Sequence, residues 1–253
     1  MTRHPMQFVE IQAGDTILLR QFYVASYVSA FPDPDERESL ENMLDYLNKK
    51  RDGWYGPNNY HILIALIDGN IVGGAVADYL AHPNVGVMEF MFMNESYRGN
   101  GHARYLREEI ERILQQDAIR VGSTLDYVVA EMNDPRSTDP ARDNMDPVLR
   151  AVMWGRWLYR LVDFSYVQPA LSPGQKPVRT LRLIARSFAG DAEAMPGHQL
   201  CSVLEGYMRW AMRLPCPEKC PEYLEMEPSI DSRVRLLDLT EYAMRDRGSV
   251  DKG

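Results

Sequence analysis

Hydrophobic residues in the first half of the chain recur with two different spacings. Over residues 22–31 and 36–50 they follow the helical period, which predicts two helices. Two β-type apolar runs flank the turn at residues 68–70 and predict a hairpin. A further strand is predicted at 85–93, and it leads through a glycine-containing turn into a helix predicted over 101–116.

The second half continues the mixture of strands and helices. Strands are predicted at 125–132, 162–171 and 178–188, and helices at 148–161, 200–213 and 234–247. This order predicts an α/β domain over residues 1–189, with a mixed central sheet flanked by helices. Residues 190–253 are predicted to form a helical C-terminal extension that packs on the same domain.

Composition narrows the function classes. The 253 residues are 45% hydrophobic and 25% charged, which is typical of a globular protein with a substantial core. The formal net charge of −8 disfavours binding to nucleic acid or to an anionic membrane. An acidic surface suits cationic small substrates, although many acidic proteins are simply soluble.

Targeting features point to the cytoplasm. No apolar run approaches the ~18 residues of a membrane span, and the first residues lack an apolar signal core. Three cysteines do not suggest a disulfide scaffold. We therefore expect a cytoplasmic protein without a membrane partner.

The turn at residues 98–103 reads Arg-Gly-Asn-Gly-His-Ala and lies between a predicted strand and a predicted helix. A helix N-terminus exposes unpaired N–H groups, and glycines allow the preceding chain to curl around an anion. The chain has no P-loop pattern, and Arg104 replaces the third glycine of the dinucleotide fingerprint. The turn is therefore either a phosphate seat or a plain strand-to-helix connection.

The segment YRGNGHA resembles the R/Q-x-x-G-x-G/A pyrophosphate loop of the GNAT N-acyltransferase superfamily, with Arg98, Gly101 and Ala103 at its defined positions. The order of predicted elements over residues 17–188 is similar to that of the superfamily. The segment WLYRLVDF also resembles the family's LYEKLGF, with Tyr159 at the position of its tyrosine. The resemblance implies a GNAT fold for this chain.

The resemblance implies acetyl-CoA as the acyl donor, held between the fourth and fifth strands. Residues implied to bind it are the backbone of Met91, Phe92 and Met93 and the loop residues Arg98, Gly99, Asn100, Gly101, His102 and Ala103. Glu89, the charge inside an apolar strand, is the candidate general base, and burial would raise its pKa. Tyr159 is the candidate acid for the departing thiolate.

Alternative structural roles stay open for these side chains. Glu89 could bind backbone N–H groups, and Tyr159 could be an aromatic residue on the core face of a helix. Glu131, at the end of a predicted strand, is a candidate for recognising the acceptor amine or a surface carboxylate.

The sequence also departs from the family pattern. Asp163 stands at the usual glycine of the LYEKLGF segment and Val152 stands where an asparagine is common. Asn133 or Asn144 could replace that asparagine.

The three cysteines lie close together in the extension, beside a histidine. His198, Cys201, Cys216 and Cys220 offer four nitrogen and sulfur ligands of the kind that suit zinc. Their spacing is not that of a standard zinc finger, and each cysteine could be a small buried hydrophobe. A structural zinc is thus an open hypothesis, and no catalytic metal is expected.

These observations favour an acyltransferase that moves acetyl from acetyl-CoA to a primary amine of a small molecule. A longer acyl-CoA or an aminoacyl-tRNA is an alternative donor. A non-catalytic acyl-CoA-binding module is an alternative from another class, and a homodimer is compatible with the sequence.

Overall fold

The computed structural model describes residues 6–139, 143–172, 174–188 and 193–245. The chain divides into two compact units. We call residues 1–125 with 171–175 the N-terminal unit, and residues 126–170 with 176–253 the C-terminal unit. The sequence-predicted boundary at 189/190 lies outside the described residues and stays a prediction.

Four strands of the N-terminal unit pair antiparallel in the order β1-β2-β3-β4. They are β1 (Gln7–Glu10), β2 (Asn59–Ile67), β3 (Asn70–Leu80) and β4 (Val85–Met93). The predicted hairpin is confirmed, because β2 and β3 flank a turn at Asp68 and Gly69, both of which have positive φ. The predicted strand at 85–93 has the bounds of β4.

The helices of the N-terminal unit match the predicted bounds only in part. The helical segment predicted over 22–31 begins at Thr16 and contains a π-helical turn, and the helix predicted over 36–50 begins at Leu40. The helices are α1 (Thr16–Phe22), a π-helical turn (Tyr23–Tyr27), α2 (Val28–Ala30), α3 (Leu40–Arg51) and α4 (His102–Arg120). The Ser39 side chain caps α3 by accepting a hydrogen bond from the Asn42 N–H at 3.0 Å. Helix α4 extends four residues beyond the predicted end, with Asp117 and Ala118 buried in its last turns.

Aromatic side chains fill the core between α1–α2 and β4. The Phe22 and Phe92 rings stack at 5.6 Å, and the Tyr27 and Phe90 rings meet edge to face at 5.1 Å. Gly74 permits this approach, since a Cβ there would lie 2.5 Å from Phe22. The aromatic contacts hold the helical segment against the strand that carries Glu89.

The C-terminal unit has its own strands, in the order β5-β7-β6-β9-β8. They are β5 (Tyr127–Asn133), β6 (Arg160–Val162), β7 (Leu181–Ser187), β8 (Ala194–Pro196) and β9 (Arg233–Asp238). Its helices are α5 (Pro147–Arg156), α6 (Gly197–Trp210), α7 (Pro221–Met226) and α8 (Leu239–Met244). The α/β class predicted from the sequence is confirmed.

Two helices predicted in the C-terminal unit differ from the structure. The helix predicted over 148–161 ends at Arg156, because Leu158 adopts a left-handed φ of 69° and the chain then enters β6. The prediction of a helix over 234–247 was wrong for the first part of this range. There the buried residues Val234 and Leu236 alternate with more exposed residues in β9. Helix α8 follows it, and residues beyond 245 lie outside the described part. The extension therefore contains strands as well as helices.

Candidate functional site

The connection between β4 and α4 is built around two left-handed glycines. Gly99 has φ of 80° and Gly101 has φ of 81°, a region that side chains rarely adopt. A Cβ at either glycine would meet no described atom within 4 Å, so the requirement for glycine is conformational. The loop is open on the side where these glycines lie, and Gly99, Asn100 and Gly101 are exposed.

The N-terminus of α4 has polar groups available to an anion. Gly101 occupies the N-cap position and has no side chain that could accept a hydrogen bond from the first turn. Residues 102–105 include no acid, so the positive end of the helix dipole is not neutralised locally. Ala103, half-buried in this first turn, contributes a backbone N–H without a bulky side chain. A phosphate is a fitting ligand for this geometry.

Two side chains brace the loop. The Nε of Arg98 donates a hydrogen bond to the Met93 carbonyl at 3.0 Å, which ties the loop to the end of β4. The Nδ1 of His102 lies 3.2 Å from the Tyr97 carbonyl oxygen, so the ring contacts the backbone before the loop. The loop geometry is thus fixed from both sides.

Strand β4 contains a bulge, and Glu89 is its extra residue. Met88 is opposite Ala77 and Phe90 is opposite Val76, so Glu89 has no counterpart on β3. Bulges leave backbone groups outside the ladder and re-aim side chains, and they are frequent beside active sites. The sequence singles out Glu89 by its charge, but a bulge has no clear signal in the apolar run.

The side chains after the bulge mostly belong to the core. Phe92 is 7% and Met93 is 4% exposed, while Met91 is half-buried. A Cβ on Gly73, opposite Met93, would lie 2.5 Å from the Phe92 carbonyl oxygen. The burial of Phe92 and Met93 is compatible with the prediction that the backbone of these three residues, and not their side chains, would contact the coenzyme.

Sequence reasoning missed three groups on the Glu89 side of the N-terminal unit. Asp78 and Glu38 are buried acids, 1% and 4% exposed, and Tyr60 is 1% exposed. Burial first, and then the charges of Glu89, Asp78 and Glu38, raise the pKa of Tyr60 well above its ordinary value. The sequence contains a signal for Asp78, because this charge interrupts an apolar strand as Glu89 does.

Tyr159 and Glu131 lie in the C-terminal unit. Tyr159 is 1% exposed and its ring meets that of Trp154 edge to face at 4.6 Å. It follows the end of α5 and precedes β6, so its predicted position on a helix was wrong. The Glu131 carboxylate accepts a hydrogen bond from the Tyr166 hydroxyl. Burial and the charge of Glu131 raise the pKa of Tyr166.

The departures from the family pattern have structural explanations in the C-terminal unit. Asp163 has no positive φ, and its Oδ2 accepts a 3.0 Å hydrogen bond from Nε of Arg235 on β9. The extension therefore supplies the partner of this aspartate. The Asn133 amide donates to Asp143 at 2.8 Å, and Asn144 accepts from Arg150 at 3.2 Å.

The proposed zinc ligands do not come together. In the described ranges, no group of three or more His, Cys, Asp or Glu side chains could hold a metal ion, so His198, Cys201, Cys216 and Cys220 do not form a metal site. The three cysteines are free thiols, and Cys220 Sγ lies 2.8 Å from Glu222 Oε2. The zinc hypothesis is therefore not supported.

A membrane-crossing helix is also absent among the residues that the structure describes, where no helix is both long and apolar enough.

Comparison with known structures identifies similar folds. A Bacteroides thetaiotaomicron protein assigned to the GNAT acetyltransferase family aligns with a TM-score of 0.53 and 19% identity, over 73% of this chain and 88% of that chain. A tandem GNAT protein from the clavulanic acid biosynthesis pathway aligns with a TM-score of 0.50 and 15% identity, over 65% of this chain and 46% of that chain. These similarities concern the fold.

By sequence, the chain matches a protein-family model but no curated protein. No curated protein matches the chain significantly. The family model described as Acetyltransferase (GNAT) family matches residues 18–137, a region that includes the β4 bulge and the glycine loop. Residues 18–137 of this chain are therefore similar to the acetyltransferase (GNAT) family.

Proposed function

We propose that this chain transfers an acetyl group from acetyl-CoA to a primary amine of a small molecule. The observation that carries the proposal is the open, glycine-formed N-terminus of α4 directly after a bulged strand. That arrangement offers an anion seat and a displaced carboxylate within one β-loop-α segment. The similarity of residues 18–137 to the acetyltransferase (GNAT) family model supports the acetyltransferase class.

The loop residues fit a pyrophosphate group. The N–H groups of residues 99–103 would donate to its oxygens, and the Arg98 guanidinium would add a positive charge. Gly99 and Gly101 leave open space where side chains would obstruct the ligand. The backbone of Met91, Phe92 and Met93 would bind the amide groups of the pantetheine arm.

The reaction requires a bond exchange at the thioester. The amine nitrogen bonds to the acetyl carbonyl carbon, the carbon–sulfur bond breaks, and the products are an amide, coenzyme A and one proton. We assign Glu89 to receive the proton of the acceptor ammonium, directly or through water. We assign Tyr159 to protonate the leaving thiolate and Glu131, held by Tyr166, to acceptor recognition.

Calorimetric titration with acetyl-CoA tests the loop. We expect binding at micromolar strength, about −8 kcal/mol, and its loss in Gly101→Glu, which places a carboxylate at the seat. Gly122→Glu is the matched control, because Gly122 lies beyond the other end of α4, has φ of 78° and also faces open space. No binding to the wild type, or equal loss in both variants, would refute the assignment.

Thiol release during turnover tests the catalytic assignments. Glu89→Gln and Tyr159→Phe should each slow acceptor-dependent release of coenzyme A by about 10²–10⁴-fold, with acetyl-CoA binding retained. Unchanged rates in both variants would remove these two roles while leaving the coenzyme site intact. Binding without any amine-dependent release would favour an acyl-CoA-binding module.

A further inference from the structure

Helix α5 of the C-terminal unit has a closely packed inner side. Its inner residues Val148, Ala151 and Trp154 are 8%, 0% and 5% exposed. This side packs against α8, so closely that a Cβ on Gly155 would lie 3.2 Å from Oγ1 of Thr240. A helix that buries one side in a domain normally carries polar residues on the other side. The outer side of α5 departs from this pattern.

The outer side of α5 carries apolar residues between two charges. Asp146, Leu149, Met153 and Arg156 recur at intervals of three or four residues, so they lie along one face of the helix. Leu149 is 61% exposed, and Val152 beside it is half-buried, as is Met153. Apolar residues that are grouped on a surface and bordered by charges are typical of an interaction site. We call Asp146, Leu149, Met153 and Arg156 the α5 stripe.

The two charges of the α5 stripe are too far apart to pair within one chain. Asp146 at the N-cap and Arg156 at the last helical residue are separated by about 15 Å along the helix axis. Both residues are exposed, and no carboxylate of the described residues forms an ion pair with Arg156. The other charge of α5, Arg150, is already bound to Asp143 at 2.6 Å. Arg156 is therefore available to an acid from outside the chain.

The α5 stripe is complementary to a second copy of itself. Asp146 and Arg156 lie equally far from Ala151 on its two sides, and so do Leu149 and Met153. If two α5 helices pair antiparallel about a two-fold axis at Ala151, each Asp146 is opposite the partner's Arg156. Each Leu149 is likewise opposite the partner's Met153. Every contact then occurs twice, as in an isologous interface, and the helix dipoles oppose each other favourably.

We propose that this chain forms a symmetric homodimer through the α5 stripe. A second copy fits better than an unrelated protein, because it supplies both charges and both apolar residues at the required positions. Methionine and arginine, two of the four stripe residues, are also enriched at protein interfaces. The face of α5 is only about 15 Å long, so the interface is small and the dimer should be reversible. Dimer formation does not depend on the proposed reaction.

Sedimentation velocity over a series of protein concentrations tests the dimer. We expect the wild type to shift from monomer to dimer as its concentration rises. Arg156→Glu should raise the dissociation constant about tenfold, because two attractive pairs become two repulsions. Arg20→Glu reverses an exposed arginine on α1 and is the matched control, which should associate like the wild type.

Two results of this experiment would overturn the α5 dimer. One is a wild type that stays monomeric up to about 1 mM, which would leave the stripe to a different occupant. The other is a dimer whose dissociation constant is the same in the wild type and in Arg156→Glu, because that dimer would use another surface.

A mixing experiment identifies the contacting residues. Arg156→Glu has an acid at both ends of the α5 stripe, and Asp146→Lys has a base at both ends. Each variant alone should associate more weakly than the wild type, whereas an equimolar mixture should form a heterodimer about as tightly as the wild type dimerises. A mixture that associates no better than its components would overturn the proposed pairing.

The N-cap role of Asp146 requires a further variant. Asp146→Lys removes the cap of α5, so circular dichroism should first show that this variant is folded. Asp146→Asn takes its place if it is not, because asparagine keeps the cap while the charge is lost. We expect Asp146→Asn to raise the dissociation constant of the homodimer about threefold. An unchanged constant in this variant would overturn the pairing of Asp146 with the partner's Arg156.

Discussion

Replacing His61 with glutamine should destabilise the N-terminal unit in a pH-dependent way. His61 is 3% exposed on β2, and its ring nitrogens lie 2.7 Å from Oε1 of Glu10 and 2.6 Å from Oδ2 of Asp117. The ring thereby joins β1 to α4 through two ion pairs. Lys50 also binds Glu10 at 2.8 Å, and Asn59 and Arg120 bind Asp117 at 2.8 Å and 3.4 Å, so both carboxylates keep at least one partner in the variant.

Removing one partner of a buried ion pair typically costs about 3–5 kcal/mol. We expect about 3 kcal/mol for His61→Gln, the lower end of that range, because the remaining partners still hold Glu10 and Asp117. Most of the loss should arise at Asp117, whose side chain is 8% exposed against 31% for Glu10. Solvent screens the Glu10 contact more strongly.

The pH dependence follows from the directions of the pKa shifts. Burial alone would lower the pKa of His61, but the carboxylates of Asp117 and Glu10 raise it above the ordinary value of 6.5. The contribution of the charged histidine to stability is therefore complete below pH 6.5, and it is lost as the pH rises through the pKa of the folded state. Burial alone would raise the pKa of Glu10, but contacts with His61 and Lys50 lower it from 4.5 to about 2. The contribution of the Glu10 carboxylate to stability is therefore lost on acidification. The pKa of Asp117 is also lowered. The stabilisation is greatest between about pH 4.5 and 6.5.

The assay is urea unfolding of wild type and His61→Gln at pH 5.5 and pH 9, with hydrogen exchange of β2 and α4 amides to follow the N-terminal unit separately. The difference in free energy of unfolding should be large at pH 5.5 and smaller at pH 9. Asp52→Asn, which breaks the exposed Arg51–Asp52 pair, is the control and should have no measurable effect. An equal difference at both pH values would refute the charged histidine.

Four other predictions concern stability and composition. Gly74→Ala should cost about 1–3 kcal/mol, measured as a lower melting temperature, because its Cβ would lie 2.5 Å from the Phe22 ring. Asp134→Asn should destabilise the C-terminal unit by about 3 kcal/mol, measured by urea unfolding, since it weakens the 2.8 Å contact with Arg182 at a buried carboxylate. Elemental analysis should find no stoichiometric zinc, and Cys220→Ser should leave the folded content unchanged by circular dichroism.

Local patterns allowed prediction of β2, β3, β4, α3 and α4 to within a few residues, whereas β1 was not predicted. The alternation of β2 and β3 around Asp68 and Gly69, and the helical period of α4, depend on neighbours in sequence. The charge of Glu89 within an apolar strand made it a candidate site residue from the sequence alone. Its place in a bulge was not predictable, because the bulge depends on how β3 and β4 align.

Non-local pairing explains what the sequence did not predict. The segment containing Val234 and Leu236 is also compatible with a helical pattern, and it forms β9 because β6 and β8 pair with it on both sides. The group around Tyr60 is assembled from a loop and three strands, so no single motif contains it. The helix end before Tyr159 was not predictable from the sequence. It depends on a left-handed backbone at Leu158, and leucine rarely adopts a positive φ.

Tyr60 and His61 are neighbours on β2, and their side chains face opposite surfaces of the sheet. Tyr60 is directed toward α3 and the ring of Tyr46, whereas His61 is directed toward Asp117 on α4. Substitutions on the Tyr60 side of the strand can therefore leave the ion pairs of His61 undisturbed. A one-residue insertion in β2 before Tyr60 would instead exchange the two side chains, which would separate the histidine from both carboxylates.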